Sequence, residues 1–416
     1  MNALAAREAA LRIVAAVPRQ PTLRLPLDDA LGAVLAEDVV SPLDLPAWTN
    51  SAMDGYAARG EDVRGATDAR PVQLRVVEQI PAGQFPTRTI APGECARIFT
   101  GAPLPAGADS VIRQEDTDLG RERVAIRNDR DAGVNIRLAG EDIRKGATVL
   151  EAGAELGAAE LGVLASMAVA HPLVFRRPLV GILGGGDEIV DVDQPEAILS
   201  GRKIASSNSH SLHALVRLAG GVPLALGIAR DTPESVRAHL ARAPECDLLV
   251  TSAGISVGEH DHLRAAVAGL GGAIDFWKLR MRPGAPVGFG QVLGIPWIGL
   301  PGNPVSAMVT FELFVRPAIR AMAGHGLPFR RTVPVRTAEA ITLRPTLQHF
   351  LRAIITETST GPEARLTGPQ GSGILTSMVR ANALLVMAEG RHETAVGERV
   401  PALLLQDPVH QAEPGF

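Results

Sequence analysis

The feature that most constrains the fold is a regular alternation of strand-like and helix-like segments between residues 176 and 322. Short apolar runs such as Leu179–Leu183 and Pro296–Leu300 are bounded by Gly and Pro, which is typical of buried strands. Apolar residues recur at helical spacing between these runs, and Gly302-Asn303-Pro304 precedes a long helical segment that reaches about Met322. This alternation predicts a mostly parallel, doubly wound α/β sheet. Its other predicted elements are strands at Val222–Leu226 and Asp247–Thr251, and helices at Leu212–Ala219, from Thr232 onward and at Asp261–Leu270.

Three loops follow the predicted strands, at residues 184–188, 252–261 and 301–304. Open α/β sheets bind ligands beyond the carboxyl ends of their strands. Gly-rich loops at helix N-termini also present free N–H groups and the positive end of a helix dipole to an anion. The sequence therefore predicts a phosphorylated ligand at this edge. The alternative is that these glycines only form tight turns.

The rest of the chain is predicted to be mainly β. Between Asp44 and Glu141, short apolar runs recur between turn residues, and no helical period dominates. Residues 143–172 indicate a β-turn and a short helix, and residues 330–416 indicate a small β-barrel or sandwich. The N-terminal segment predicts an amphipathic helix that ends near Pro18, with an apolar face formed by Leu4, Ala5, Leu11, Ile13 and Val14.

Composition excludes several classes of protein. The 416 residues suffice for roughly two to four domains, and 46% of them are apolar. A net charge of −4 without a long basic run argues against nucleic-acid binding and a polybasic membrane surface. The two cysteines, Cys95 and Cys246, form no metal-binding or redox motif. The charged N-terminal segment is unlike a targeting peptide, and no apolar stretch is long enough to span a bilayer, so the sequence predicts a soluble cytoplasmic protein.

Acidic residues in Gly-rich surroundings are the strongest chemical signal. The P-loop and the zinc-binding H-E-x-x-H motif are missing. His260 and His262 are interpreted as loop residues, not as ligands of a transition metal. Acids beside anion-binding loops suggest Mg²⁺ bridging carboxylates and phosphates, although each could also be a helix cap or turn residue. The acids concerned are Asp54, Asp142, Asp187, Glu188 and Asp261.

Seven segments, distributed over most of the chain, carry a resemblance to a known family. The most specific are GLPGNPVSA (299–307) and the pair formed by SAMDGYA (51–57) and RIFTGAPLPAGADSVI (97–112). The others are NIRLAGEDIRKG (135–146), ISVGEHD (255–261), FWKLRMRPGAP (276–286) and QGSGILTSMVRANALLVM (370–387). In this order and combination, the chain resembles the MoeA family of molybdopterin molybdenumtransferases.

The resemblance implies a transferase that acts on adenylylated molybdopterin and molybdate. The enzyme would release AMP and leave molybdenum on the dithiolene sulfurs, assisted by Mg²⁺. The resemblance also implies an elongated homodimer, whose active cleft lies between the sheet domain of one subunit and the β module of the other. We further expect the upstream molybdopterin adenylyltransferase to hand over its product.

The resemblance implies four domains, some of them discontinuous in sequence. The α/β sheet domain, which would bind molybdopterin, comprises residues 1–25 with 176–326, and a linking and dimerisation domain comprises 26–44 with 143–175. The β module comprises 45–142, and a C-terminal β-barrel-like domain comprises 327–416.

Functional residues are implied motif by motif. Asp54 and Thr100 would be catalytic, with Asp54 near the phosphoanhydride, either binding the metal or positioning the attacking group. The implied metal ligands are Asp54, Asp187 and Glu188. The implied pterin and nucleotide site comprises Asp142, Glu188, Asp231, Ser256, Asp261, Pro301, Gly302, Asn303 and Pro304. Cations and hydroxyls suit a tetrahedral oxyanion, and the implied molybdate site comprises Lys278, Arg282, Arg352 and Ser372.

Four departures from the family pattern fall in the sheet domain. Three glycines replace a Ser/Thr-rich turn, a serine replaces an acid, and two further turns are altered, one of them losing two lysines. They are Gly184-Gly185-Gly186, Ser206, Ala253-Gly254-Ile255-Ser256 and Arg282-Pro283-Gly284-Ala285-Pro286. Because Asp54 and Thr100 are intact, we expect the chemistry to be retained, with the preference between molybdate and tungstate left open. The alternatives are a non-catalytic paralogue that carries molybdopterin or the finished cofactor, and an unrelated Mg²⁺-dependent phosphohydrolase.

Overall fold

The computed structural model describes residues 3–252 and 262–406, and the chain divides into two compact units. The first unit comprises Met1–Ala36, Gly153–Ala158 and His171–Phe416, and the second comprises Glu37–Ala152 and Ala159–Ala170. The four-domain division implied by the resemblance stays a prediction.

A six-stranded sheet forms the centre of the first unit. Its first four strands are parallel, and the last two are antiparallel and form one edge. In spatial order the strands are Val222–Ala229, Leu179–Gly185, Leu248–Ser252, Ile295–Leu300, Gly288–Val292 and Ala273–Phe276. The mostly parallel sheet is therefore confirmed. Its antiparallel edge was not predicted, because the Gly-rich residues 288–290 lack the apolar run that marks a strand.

Helices cover both faces of this sheet. Successive residues of a strand point to opposite faces, so Val250 and Ile298 join one apolar core while Leu249 and Trp297 join another. The first core receives helices Ala6–Ala16, Ser207–Leu218, Pro304–Thr310 and Arg316–Met322, and the second receives Pro233–Leu240 and His262–Gly269. The doubly wound arrangement predicted from the sequence is confirmed.

The long helix predicted to reach Met322 contains a π-helical segment at Phe311–Val315. There the backbone N–H of Arg316 donates to the carbonyl of Phe311, five residues back. Pro317 follows immediately and has no N–H to donate, which favours a widened turn at this point. Periodicity alone could not reveal this irregularity, because one widened turn leaves most apolar positions in place.

The predicted N-terminal helix is confirmed at Ala6–Ala16, but one residue of its expected apolar face is wrong. Its buried residues are Ala6, Ala9 and Ile13, whereas Leu11 is 44% exposed. Small alanine side chains at helical spacing therefore form the buried face.

The C-terminal part of the first unit is a closed five-stranded barrel, as one of the two sequence alternatives predicted. Strand Gln348–Thr358 pairs with strand Ala383–Met387 and closes the barrel, which leaves no open edge within it. The strands, in spatial order, are Gln348–Thr358, Gly361–Leu366, Thr332–Thr337, Arg399–Leu404 and Ala383–Met387. Strand Met281–Arg282 pairs with the start of Gln348–Thr358, which places Arg282 beside the barrel.

The second unit is mainly β, as predicted. Its five-stranded sheet separates two apolar cores, one containing Tyr56 and Ala58 and the other containing Ala57 and Ile98. In spatial order the strands are Ser110–Arg113, Gly55–Ala58, Glu94–Ile98, Val72–Ile80 and Arg123–Ile126. A helix at Ala158–Ser166 confirms the predicted short helix.

The remaining elements are short. The paired strands are Thr22–Arg24 with Leu173–Phe175, Val39–Val40 with Thr148–Leu150, Asn50–Ser51 with Ile136–Arg137, Ile189–Val190 with Ile204–Ala205, and Ile341–Thr342 with Glu393–Thr394. The short helical turns are Leu27–Ala30, Gly60–Val63, Gln114–Asp116, Pro195–Leu199, Ala243–Glu245 and Thr376–Arg380. Within residues 3–252 and 262–406, no helix has the length and apolar character that a membrane crossing requires.

Candidate active site

Asp54 lies in the second unit, in the tight turn that leads into strand Gly55–Ala58. The Ser51 hydroxyl donates to the carbonyl of Met53 at 2.5 Å and accepts from the Met53 N–H at 3.2 Å, which closes the turn. A Cβ at Gly55 would lie 2.0 Å from the carbonyl oxygen of Ile112 on the neighbouring strand. Only glycine permits this approach, so the Asp-Gly order of the SAMDGYA segment has a steric cause.

Thr100 follows strand Glu94–Ile98 and meets Asp54 directly. The Asp54 Oδ1 accepts hydrogen bonds from the Thr100 backbone N–H at 2.8 Å and from its hydroxyl at 2.7 Å. These two bonds, the backbone bond foremost, lower the pKa of Asp54 below its usual value. The carboxylate is therefore ionised at neutral pH, and neither bond uses Oδ2. The two residues implied to be catalytic are brought together by the fold.

Arg97 supports the pair from the sheet. Its guanidinium donates to the carbonyl of Gly55 at 3.1 Å and to the Gln114 side chain at 2.6 Å. It also lies over the rings of Tyr56 and Phe99, 5.0 Å from each centroid. The positive charge makes a smaller contribution to the lowered pKa of Asp54.

A cavity of about 440 Å³ opens in the first unit at the carboxyl ends of the parallel strands. It is lined by Gly184 and Gly185 at the end of their strand and by Ser252 at the end of the next one. Helices Ser207–Leu218 and Pro304–Thr310 both begin at its wall. Because two helix N-termini converge here, the cavity suits an anionic group.

The cavity includes several of the residues implied to bind the pterin or nucleotide. Glu188, Gly302, Asn303 and Pro304 line it, whereas Pro301 is buried and does not. Asp231 lies on a smaller adjoining cavity, also lined by Gly184, Gly185 and Ser252. Asp142 is an exposed residue of the second unit. Ser256 and Asp261 lie outside the described residues, as does the predicted Gly-rich loop at Ala253–Gly258.

Asn208 is a cavity residue that sequence reasoning missed. Its amide nitrogen donates to the Ser252 hydroxyl and to the carbonyl of Gly302, both at 2.8 Å. Its side-chain oxygen is buried and has no hydrogen-bond partner within the described residues. Asn208 therefore links the start of helix Ser207–Leu218 to the strand end at Ser252 and to the loop at Gly302. In the sequence, Asn208 could have been found from its position in the first turn of a helix that begins at the edge of the sheet where a ligand was predicted.

The carboxylates near this cavity fit a weakly coordinated Mg²⁺. The backbone N–H of Asp231 donates to the Asp187 carboxylate at 3.2 Å, and the reverse bond spans 3.4 Å, so these two acids lie close together. The Glu188 carboxylate folds back over Gly186, whose φ is +127°. No cluster of three or more ligating His, Cys, Asp or Glu residues occurs within residues 3–252 and 262–406. Mg²⁺ fits such a sparse set because it keeps several waters and takes one or two carboxylates together with substrate phosphates.

A second cavity in the first unit, of about 360 Å³, is lined by three arginines: Arg282, Arg344 and Arg352. Arg352 is only 1% exposed and donates to the Ser377 hydroxyl and to the carbonyl of Gly371, both at 3.0 Å. Burial lowers the pKa of Arg352 to about 10, so the guanidinium remains charged at neutral pH. This concentration of positive charge suits a small oxyanion.

The residues implied to bind molybdate are only partly brought together. Arg282 and Arg352 line the arginine cavity. Ser372 follows Gly371, a lining residue, and its carbonyl accepts from the Val305 N–H at 3.1 Å. Lys278 is exposed and is not among the lining residues. Arg344 was not predicted, because it follows no motif of the sequence.

Three family models match successive parts of the chain. They describe the MoeA N-terminal region (domain I and II) over residues 4–168, a probable molybdopterin binding domain over 181–321, and the MoeA C-terminal region (domain IV) over 334–405.

Proteins of known family are similar over nearly the full length. Molybdopterin molybdenumtransferase 2 of Mycobacterium tuberculosis (strain ATCC 25618 / H37Rv) is 39% identical over 396 residues, covering 94% of this chain and 96% of the relative. Molybdopterin molybdenumtransferase of Nostoc sp. (strain PCC 7120 / SAG 25.82 / UTEX 2576) is 37% identical, covering 94% and 90%. The solved structure of the molybdopterin biosynthesis moeA protein from Pyrococcus horikoshii OT3 aligns with a TM-score of 0.82 at 29% identity, covering 97% of this chain and all of that one. This chain belongs to the MoeA family.

Proposed function

We propose that this chain inserts molybdenum from molybdate into adenylylated molybdopterin and releases AMP. The observation that carries the proposal is the pairing of an ionised Asp54 with Thr100 in a chain whose relatives are named molybdopterin molybdenumtransferases over nearly its whole length. The two cavities of the first unit supply matching chemistry. One has helix N-termini for phosphates, and the other has arginines for an oxyanion.

Asp54 would act at the phosphoanhydride. With Oδ1 held by Thr100, the carboxylate has one preferred orientation, and Oδ2 can accept a hydrogen bond from the attacking oxygen nucleophile. Its lowered pKa makes it a weak base, so its contribution is to orient this group. Attack on the pterin-side phosphorus would break its bond to the bridging oxygen, which leaves on AMP. The two dithiolene sulfurs would replace two oxygens of molybdate, and these oxygens leave as hydroxide with the two thiol protons.

The phosphate groups would lie in the 440 Å³ cavity, against the N-termini of its two helices. Asn208 would keep the wall of this cavity in place through its bonds to Ser252 and Gly302. Of the implied metal ligands, Asp187 would hold Mg²⁺ there together with its neighbour Asp231, while Asp54 and Glu188 remain metal-ligand candidates from the resemblance alone. When bound, the ion would neutralise phosphate charge and stabilise the leaving group.

Molybdate would occupy the cavity lined by Arg282, Arg344 and Arg352, with Ser372 close to its wall. Lys278, Asp142, Pro301, Ser256 and Asp261 remain candidates from the resemblance alone. The homodimer, the cytoplasmic location and the hand-over from the adenylyltransferase are further parts of this proposal.

The proposal is tested by mixing the purified protein with adenylylated molybdopterin, Mg²⁺ and molybdate and measuring AMP release. We expect molybdate-dependent release, reduced about 10²- to 10⁴-fold by Asp54→Asn, because the amide lacks the charge that orients the nucleophile. Asp68→Asn is the matched control, since Asp68 is an exposed aspartate of the same unit. A parallel reaction with tungstate measures the anion preference.

Two outcomes would contradict the proposal. Full activity of Asp54→Asn would remove the assigned role of Asp54. Tight pterin binding without AMP release by the wild type would favour the non-catalytic carrier instead.

A further inference from the structure

An exposed pair of aromatic rings lies beside the Asp54–Thr100 pair in the second unit. Trp48 and Phe85 contact each other edge to face, with centroids 5.0 Å apart and ring planes inclined by 68°. Trp48 is 39% exposed and Phe85 is 62% exposed. The other two of the three tryptophans, Trp277 and Trp297, are buried. Exposing two large rings together is unfavourable in water, which points to a surface used for binding.

The position of Trp48 is fixed relative to the proposed catalytic residues. Its indole N–H makes a long hydrogen bond, 3.4 Å, to the carbonyl of Gly101, the residue after Thr100. The Gly101 N–H in turn donates to the carbonyl of Ser51 at 2.9 Å, next to the turn that holds Asp54. The ring is therefore separated from Thr100 by a single residue of backbone.

The backbone at Trp48 and the residue after it is also held. The Asn50 side chain donates to the Trp48 carbonyl at 3.2 Å, and the Thr49 carbonyl accepts from the Leu104 N–H at 2.9 Å. An aromatic ring on a fixed backbone binds a planar partner with little loss of conformational entropy.

The loop that carries Phe85 is anchored by Glu78. The Glu78 carboxylate accepts from the N–H and hydroxyl of Thr87 at 2.8 and 2.7 Å, and from the Arg88 N–H at 3.2 Å. Although burial opposes it, these bonds lower the pKa of Glu78 below its usual value, so the carboxylate stays ionised at neutral pH. Both rings thus project from restrained segments.

We propose that Trp48 and Phe85 form a stacking surface for a fused-ring nitrogen heterocycle of the substrate, its adenine or its pterin. The inference rests on the proposed function, because both heterocycles are joined to the phosphoanhydride by short linkers. If Asp54 acts at that anhydride, a heterocycle must lie near the Asp54–Thr100 pair. Every such ring has a π face that can stack on an aromatic side chain, and this contact needs no hydrogen-bond partner.

The test combines ligand binding with kinetics. Calorimetric titrations with AMP and with 6-hydroxymethylpterin would compare the wild type, Trp48→Ala, Trp48→Phe and Phe85→Leu. We expect Trp48→Ala to weaken binding of one ligand roughly fivefold to a hundredfold, the range typical of base stacking. The ligand whose affinity falls shows whether the adenine or the pterin stacks on Trp48. Trp48→Phe should restore most of the affinity. Phe329→Leu, at a 43% exposed ring of the first unit, is the matched control.

A fluorescence measurement checks the same contact in the unmodified protein. Because Trp48 is the exposed tryptophan, it should dominate quenching by acrylamide, and the bound ligand should reduce that quenching. In the transferase reaction, Trp48→Ala should raise the KM for adenylylated molybdopterin with kcat changed less than about twofold, since stacking is the same in ground and transition states.

The outcomes separate this inference from the proposed function. Unchanged affinity for both ligands together with an unchanged KM in Trp48→Ala would overturn the stacking surface, even if the wild type is an active transferase. A changed sedimentation coefficient with unchanged ligand affinity would also overturn it, and would assign the rings to a contact between copies of the chain. Trp48-dependent ligand binding in a protein that never releases AMP would instead contradict the proposed function and retain the stacking surface.

Discussion

At the scale of single residues, Thr100 lowers the pKa of Asp54. Thr100→Val removes the hydroxyl bond and keeps the backbone bond, so the pKa of Asp54 should rise part of the way toward its usual value. Because the ionised carboxylate is the active form, the acid limb of the pH–rate profile should move to higher pH in Thr100→Val. Thr100→Ser retains a hydroxyl and should leave the limb unchanged.

The lowered pKa of Asp54 also makes the stability of the fold depend on pH. A depressed carboxylate pKa stabilises the fold above the unfolded pKa, and this contribution is lost as the pH falls through the folded pKa. Thr100→Val should therefore be less stable than Thr100→Ser at neutral pH, with a smaller difference in strong acid. Urea unfolding at both pH values measures this, and a difference that grows in acid would contradict the account.

At the scale of elements, the strand that begins at Gly55 depends on the absence of a side chain. Gly55→Ala would place Cβ 2.0 Å from the Ile112 carbonyl, so the two strands must move apart. We expect a loss of about 1–3 kcal/mol or more in the free energy of unfolding, as in overpacked cores, together with weaker catalysis. Urea unfolding measures the change.

Gly162→Ala is the matched control for this substitution. Gly162 lies in helix Ala158–Ser166, and nothing lies within 4 Å of an added Cβ. Because alanine favours helix, this variant should gain about 0.5–1 kcal/mol. Equal effects of the two substitutions would rule out the steric explanation.

A comparison of the predicted strands and helices with the observed ones shows which of them could be predicted from the sequence. Leu179–Leu183 was recognisable as a strand because a continuous apolar run between Gly and Pro residues is local information. The Gly288–Val292 strand was not, because its glycines pack against neighbours such as Trp297, and that contact depends on the tertiary fold. Leu11 was misplaced for a related reason, since helical spacing alone does not say which stripe faces the core.

At the scale of the whole molecule, the sequence predicted the site residues that lie in recognisable motifs and missed the others. Asp54 and Thr100 lie in recognisable segments, and the fold brings them within hydrogen-bond distance. Asn208 and Arg344 became visible only when strands and helices distant in sequence were assembled around the two cavities. A single sequence contains the residues of such a cavity but not their convergence.

The arginine cavity allows a last prediction, on the stability of the whole protein. A ligand that binds only the folded state stabilises it, by about 2.7 kcal/mol at a hundred times its Kd. Molybdate should therefore raise the Tm, and Arg282→Gln should reduce the rise because it removes one lining charge. Arg336→Gln is the matched control, since Arg336 is an exposed barrel residue that does not line the cavity. A differential scanning calorimetry series with sodium molybdate, and with sodium chloride at equal ionic strength, separates specific binding from screening. An equal rise in wild type and Arg282→Gln would place the anion elsewhere, whereas a rise lost only in Arg282→Gln assigns it to this cavity without relying on turnover.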